Sequence, residues 1–239
     1  DTMYFNNMMT DSFVDNAYYI GSDKEFVTLA DMSISGDQIF ILDGASSDNS
    51  DTLIKVGKDE KEALIKKNSA IYILNQDYTI QDRVNVFFMT NTVKEKLQQF
   101  YLYDKEPADV TKEEVSASNF YNSAATGSTA ATRPPYFQMK VGGVDQTVTT
   151  FYGADGMYVS DDYIYIADTA NARICRILKE KQDVNGVLGY VIDEVYLTPD
   201  DEVFIQFGAN AGNTDVDSTL FAPAKIIADG DGRVYTIAN

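Results

Sequence analysis

The feature that most constrains the fold is a run of three short strand-like segments within residues 154–178. The segments are rich in β-branched and aromatic residues, which favour β-strands. Two short polar connections, at residues 160–162 and 168–171, separate them. Because strands this short are joined by turns this tight, the stretch predicts an antiparallel meander. The predicted strands are residues 157–159, 163–167 and 173–178.

Similar phrases occur twice more, as expected of a unit that cannot bury both of its faces alone. Residues 30–43 read A-D-M-S-I-S-G-D-Q-I-F-I-L-D, and residues 222–239 read A-P-A-K-I-I-A-D-G-D-G-R-V-Y-T-I-A-N. Each phrase places a polar residue, Asp43 or Asn239, at the position of Asp168. Residues 198–207 leave room for one further copy of the phrase that is harder to recognise.

The phrase Y-I-Y-I-A-D-T-x-N-x-R-I closely resembles a blade of the NHL-repeat type of β-propeller, and D-T-x-N-x-R-I is the specific part of the match. The resemblance implies an all-β fold, a β-propeller whose blades have four antiparallel strands. It also implies structural roles for Asp168, Asn171 and Arg173, in which the aspartate bonds turn amides and the arginine. The matching positions of the first copy are Asp43, Asn68 and, in place of the arginine, Ala70.

Two insertions interrupt the repeat in what we expect to be one domain, residues 1–239. The first, about residues 44–67, is a polar loop followed by a charged segment that suits either a helical turn or the tip of a β-ribbon. The second, about residues 91–140, has capping boxes that begin at Thr92 and Thr111, and it ends in a loop rich in Ala, Ser and Thr. The insertion is expected to carry one or two helices, the second of which runs to about Phe120. An apolar helical face follows the first box, at Val93, Leu97, Phe100 and Tyr101.

This second insertion suits a lid or partner-docking element as well as a packed decoration. Further strands are predicted at residues 70–74, 80–89, 136–152, 188–197 and 203–207.

Composition excludes several classes of function. The chain has 19 basic and 37 acidic residues, a formal charge of −18, which argues against nucleic-acid binding. It has no apolar run long enough to span a membrane. It also lacks histidine, which excludes His-dependent triads and zinc sites. The single cysteine, Cys175, is expected to be a small buried hydrophobe.

The acidic turns supply the only metal candidates, and calcium is the only candidate cofactor. Asp229 and Asp231 resemble the start of a calcium loop, but Arg233 stands where a further ligand is required. A turn between two strands explains them better. Asp161 and Asp162 occupy a similar turn. No catalytic residue can be assigned.

The leading hypothesis is a non-catalytic binding or scaffold module at a bacterial surface or in a secreted protein, with a protein or polysaccharide partner. The alternative is a divalent-metal-dependent hydrolase of the lactonase or esterase type. Low Cys and high Asp, Asn and Tyr favour an extracellular location, and a cytoplasmic one is the alternative.

Length permits about four blades, so the propeller is expected to be open or partial. We expect residues 234–238 to form an unpaired strand edge, with a longer chain or a partner chain completing the propeller. Pairing of residues 14–20 into the last blade would instead close the ring.

Overall fold

The computed structural model describes residues 28–44, 52–65, 68–116, 133–197, 204–208 and 223–238. Most of these residues form strands in mainly antiparallel sheets, which confirms an all-β chain. The strands are β1 Leu29–Ser35, β2 Gln38–Asp43, β3 Thr52–Val56, β4 Lys61–Ile65, β5 Ala70–Leu74, β6 Ile80–Val84, β7 Phe87–Met89, β8 Phe137–Val141, β9 Val144–Thr149, β10 Gly156–Val159, β11 Tyr163–Asp168, β12 Arg173–Leu178, β13 Gln182–Val184, β14 Val187–Gly189, β15 Val191–Tyr196, β16 Phe204–Gly208, β17 Pro223–Ala228 and β18 Val234–Ala238. Within the same residues the helices are α1 Asn91–Tyr101 and α2 Lys112–Val115, with 3-10 turns at Pro107–Asp109 and Thr169–Asn171. The segment at residues 14–20 lies outside the described residues.

Two four-stranded antiparallel meanders form the centre of the structure. Sheet I has the order β1-β2-β5-β6, and sheet II has the order β10-β11-β12-β15. Two predicted strand ranges are wrong. Residues 80–89 divide into β6 and β7, which belong to different sheets. In residues 188–197 only β15 joins sheet II, because β14 folds back on β13 as a separate hairpin.

Sheet II continues into both insertions, although the sequence had indicated two separate insertions. β15 pairs in parallel with β7, and the order continues β9-β8-β3-β4 to give nine strands. We call β7, β9, β8, β3 and β4, with α2, the insertion unit. It has its own apolar core, which includes Val56 and Ile65 from the first insertion and Val110, Val115 and Phe137 from the second. The charged half of the first insertion therefore belongs to a β-hairpin, and residues 137–149 join the nine-stranded sheet beside β7 rather than next to β10.

The helices correct two boundaries. The side chain of Thr90, not that of Thr92, caps α1 by accepting a hydrogen bond from the backbone N–H of Val93. The capping box at Thr111 is confirmed, but α2 ends at Val115 rather than about Phe120, which lies outside the described residues. No helix in the described part of the chain combines the length and apolarity needed to cross a bilayer.

Sheet III is a three-stranded sheet in the order β16-β18-β17. The expectation that residues 234–238 form an unpaired edge is wrong, because β18 pairs with β17 on one side and in parallel with β16 on the other. β16 therefore belongs to this sheet and not to a separate repeat. Register also corrects the alignment: Ile237 faces Lys225 as Ala167 faces Gly156, so Ala238 rather than Asn239 takes the place of Asp168.

The three sheets stack in chain order and use their faces consistently. We call the face turned to the preceding sheet trailing, and the face turned to the following sheet leading. The leading face of sheet I, with Phe40 and Leu42, packs on the trailing face of sheet II, with Met157 and Ile166. The leading face of sheet II then packs on the trailing face of sheet III. The residues of this second contact are Tyr165, Ala167, Ile174, Tyr196, Ile226 and Val234.

Candidate functional site

The most deeply buried polar cluster lies where β11 turns into β12. Asp168 ends β11 and pairs in register with Arg173, the first residue of β12. The 3-10 turn between them carries Asn171, and Ala172 enters β12 with a left-handed φ of 52°. The structure thus brings together the three residues that the repeat phrase singled out, and each is at most 1 % exposed.

The Asp168 carboxylate is the shared acceptor of this cluster. Its Oδ2 accepts hydrogen bonds from Arg173 Nε and Asn171 Nδ2, both at 2.8 Å. Its Oδ1 accepts from the backbone N–H of Tyr152 at 2.6 Å. Arg173 Nη2 donates to Thr149 Oγ1 at 2.9 Å and to the backbone carbonyl of the residue that follows Thr149 at 3.2 Å. The cluster therefore joins the β11–β12 turn to the chain that follows β9.

Burial controls the ionisation of the cluster. Desolvation raises the pKa of Asp168 from 3.8 to about 6, and the neighbouring guanidinium of Arg173 and the Asn171 amide oppose it only in part. At neutral pH the carboxylate is ionised and paired with Arg173. Because neither side chain is exposed, the pair cannot reach a ligand in solution, which favours the structural role expected from the sequence.

Sheet I has a related cluster without the arginine. Asp43 Oδ1 accepts from the backbone N–H of Thr28 at 2.8 Å, and Asp43 faces Ala70 across the strands. The neighbouring Ser69 is fully buried, and its Oγ donates to the Gly44 carbonyl at 2.9 Å. The same Oγ accepts from the Ala154 N–H at 3.0 Å. In addition, Asn68 forms an isolated β-bridge with Tyr152, so the sheet I and sheet II clusters are directly connected.

The candidate metal residues stay in separate turns. Asp229 Oδ1 accepts backbone hydrogen bonds from Asp231 and Arg233 in the β17–β18 turn, so the turn interpretation fits. Asp161 and Asp162 are exposed in the β10–β11 turn. Among the residues that the structure describes, no three His, Cys, Asp or Glu side chains lie close enough to hold a metal.

Cys175 lies in the core shared by sheets I and II and is fully buried. Burial raises the pKa of its thiol to about 12, so the thiolate is scarce at neutral pH. The expectation of a small buried hydrophobe is confirmed.

A charged contact that the sequence pattern did not predict joins all three sheets. Lys225 of β17 donates from Nζ to the Ala30 carbonyl at 2.8 Å and to the Asp155 carbonyl at 2.5 Å, and it lies 3.4 Å from Asp31 Oδ2. Register aligns Lys225 with Gly156, and a side chain at Gly156 would collide with β17. A lone lysine in an otherwise apolar strand was the available signal.

The insertion unit contains a second feature that the sequence pattern did not predict, an open charged cleft. The β3–β4 turn faces residues 108–113 across an open cleft of about 290 Å³. Three lysines and three carboxylates line it, and Lys58 reaches Asp109 at 3.3 Å. Because the cleft lies between two segments far apart in sequence, no local pattern could have indicated it. The other charged lining residues are Asp59, Lys61, Lys112 and Glu113.

Neither a family model nor a curated protein nor a solved structure matches this chain.

Proposed function

We propose that this chain is a non-catalytic binding or scaffold module, built as an open or partial NHL-like β-propeller and displayed at a bacterial surface. The observation that carries the proposal is the insertion unit, in which two insertions share one apolar core and present a charged cleft. Its partner is a protein or a polysaccharide.

The stacking of the sheets supports the propeller architecture. β10, the first strand of sheet II, contacts both β1, the first strand of sheet I, and β17 of sheet III. Leading faces meet trailing faces at both contacts. A repeated step of this kind is what adjacent propeller blades require.

The cleft has the properties of a preorganised recognition surface. Its walls are held by Val56, Val110 and Val115 in the apolar core below, so binding would order few additional groups. Lys58 and Lys112 are about half exposed or more, with side-chain exposures of 70 % and 47 %. Exposed charges of both signs suit a polar partner, such as an acidic glycan or a charged protein segment.

Binding assays on the intact chain test this proposal. Immobilised neutral and acidic bacterial polysaccharides, and proteins captured by crosslinking at the cell surface, are the probes. We expect a probe that binds the wild type and loses affinity in the double variant Lys58→Ala/Lys112→Ala. The matched control is Lys181→Ala, which removes an exposed lysine of a different hairpin, paired with Asp82.

Assays of ester and lactone hydrolysis, with Ca²⁺, Mg²⁺, Mn²⁺ or EDTA, address the hydrolase alternative. Metal-dependent turnover that persists in the cleft variant, together with no cleft-dependent binding, would overturn the proposal.

A further inference from the structure

The two ends of the sheet stack expose faces that are buried everywhere else in it. On the leading face of sheet III, Ile227 is 59 % exposed and Ile237 is 53 % exposed. On the trailing face of sheet I, Met32 is 49 % exposed and Ile34 is 67 % exposed. Single exposed apolar residues scattered over a surface are normal, but here four large apolar side chains are grouped in two patches.

The leading face of sheet III forms a shallow apolar groove. Lys225, Ile227, Tyr235 and Ile237 line a volume of about 310 Å³. The ammonium of Lys225 is already bound to the carbonyls of Ala30 and Asp155, so only its aliphatic stem faces the groove. Tyr235 donates its hydroxyl to Asp229. The groove is thus apolar, and the polar ends of its long side chains are bound elsewhere in the chain.

Register shows which kind of surface this groove accepts. Ile227 and Tyr235 occupy the positions of Tyr158 and Tyr165, which receive the trailing face of the next sheet. The exposed pair Met32 and Ile34 belongs to a trailing face, since these residues align with Ile41 and Ile39 on the side of sheet I away from sheet II. One chain therefore carries both halves of a leading-to-trailing contact, on opposite ends of its stack.

We infer that two copies of this chain associate head to tail, each placing the sheet III groove on Met32 and Ile34 of the other. The inference rests on the proposed propeller architecture. The three stacked sheets in the described part of each copy give six in the pair, and closed propellers have about four to eight blades. Two equal contacts related by a two-fold axis close the ring without leaving an end for further growth.

The test is the mass of the intact chain in solution, measured by light scattering after size-exclusion chromatography at micromolar concentration. The expected mass is twice the 26.5 kDa of one chain. Ile237→Lys and Ile34→Glu each place a charge in both contacts and are expected to weaken association by about thirtyfold or more, as at an interface hot spot. Leu188→Glu, at an exposed hairpin position, is the control and leaves the mass unchanged.

A charge swap distinguishes the head-to-tail contact from other dimers. The double variant Ile34→Glu/Ile237→Lys places opposite charges across both contacts, and its mass is expected to return to that of the dimer. Far-UV circular dichroism confirms that each variant is folded, and the substituted side chains are more than half exposed.

Three results would overturn the inference: a monomeric wild type, a dimer that Ile34→Glu leaves intact, or a double variant that stays monomeric. Failure here and failure of the proposed function are separable. A monomeric wild type that binds through the cleft would refute only the two-chain ring. A dimer that shows no cleft-dependent binding would refute only the proposed binding function.

Discussion

Replacing Arg173 with methionine tests whether the buried cluster is held together by charge. The variant keeps most of the side-chain volume, so little cavity forms. It leaves the Asp168 carboxylate fully buried without its paired guanidinium, and Arg133 remains as a cation that acts on it from further away. Removing one partner of a buried ion pair costs about 3–5 kcal/mol. We therefore expect the free energy of unfolding at neutral pH to fall by about 4 kcal/mol, which lowers Tm by on the order of 10 °C in a domain of this size.

The effect has a defined pH dependence. In the wild type, the folded-state pKa of Asp168 is about 6, above its ordinary 3.8. Protonation of Asp168 therefore favours the folded state. Its contribution to the free energy of unfolding, about 3 kcal/mol, is complete below about pH 3.8 and is lost as the pH rises through about 6.

Without the Arg173 guanidinium the folded-state pKa of Asp168 rises further, so the carboxylate is penalised more at neutral pH. At about pH 4 both proteins hold this proton. The deficit of the variant then shrinks to about 1–2 kcal/mol, the value of the lost arginine hydrogen bonds.

Urea denaturation followed by circular dichroism at the two pH values measures both effects. The matched control is Arg176→Met, because Arg176 pairs with Asp193 at 2.8 Å but is 24 % exposed. A partly solvated pair of this kind contributes about 1 kcal/mol or less. A deficit for Arg173→Met that is equal at both pH values, or no larger than that of Arg176→Met, would refute the reasoning.

Three further predictions concern the sheet contacts, α1 and the core. Gly156→Ala would place Cβ 1.9 Å from a backbone carbonyl of β17, so we expect faster amide hydrogen exchange in β17, whereas Gly230→Ala, with open space around it, leaves exchange unchanged. Thr90→Ala is expected to destabilise the protein by about 1 kcal/mol in urea and Thr92→Ala by about zero, because only Thr90 caps α1; equal effects would contradict the capping assignment. Cys175 is expected to react with thiol reagents only at the rate of unfolding, and fast labelling of the native protein would show that the core is open.

The local sequence correctly predicted those elements that depend only on residues close together in the chain. β12 coincides with the predicted residues 173–178, because its β-branched residues lie between a turn and a charged segment. The pairing of Asp168 with Arg173 followed from their places on either side of one tight turn. The Thr111 capping box was readable for the same reason, since all of its partners lie within a few residues.

The remaining features depend on contacts between distant segments. The parallel pairing of β15 with β7 joins Val191 to Phe88, and nothing in either short strand specifies the other. β16 adds to β18 from outside the repeat phrase, which the phrase could not indicate. At α1 two threonines were available as caps, and the structure shows that the helix begins after Thr90.

The order of the elements along the chain has a consequence for synthesis. Sheet I is complete once β6 has emerged from the ribosome, but sheet II, which covers its leading face, is made much later. During that interval Phe40 and Leu42 would lie open on the nascent chain. Helix α1 emerges between the two sheets and adds Val93 and Leu97 to the same core. Because α1 packs on β15, which emerges after it, α1 cannot cover sheet I before sheet II is made, so the interval between β6 and β15 is the time of greatest aggregation risk for the nascent chain.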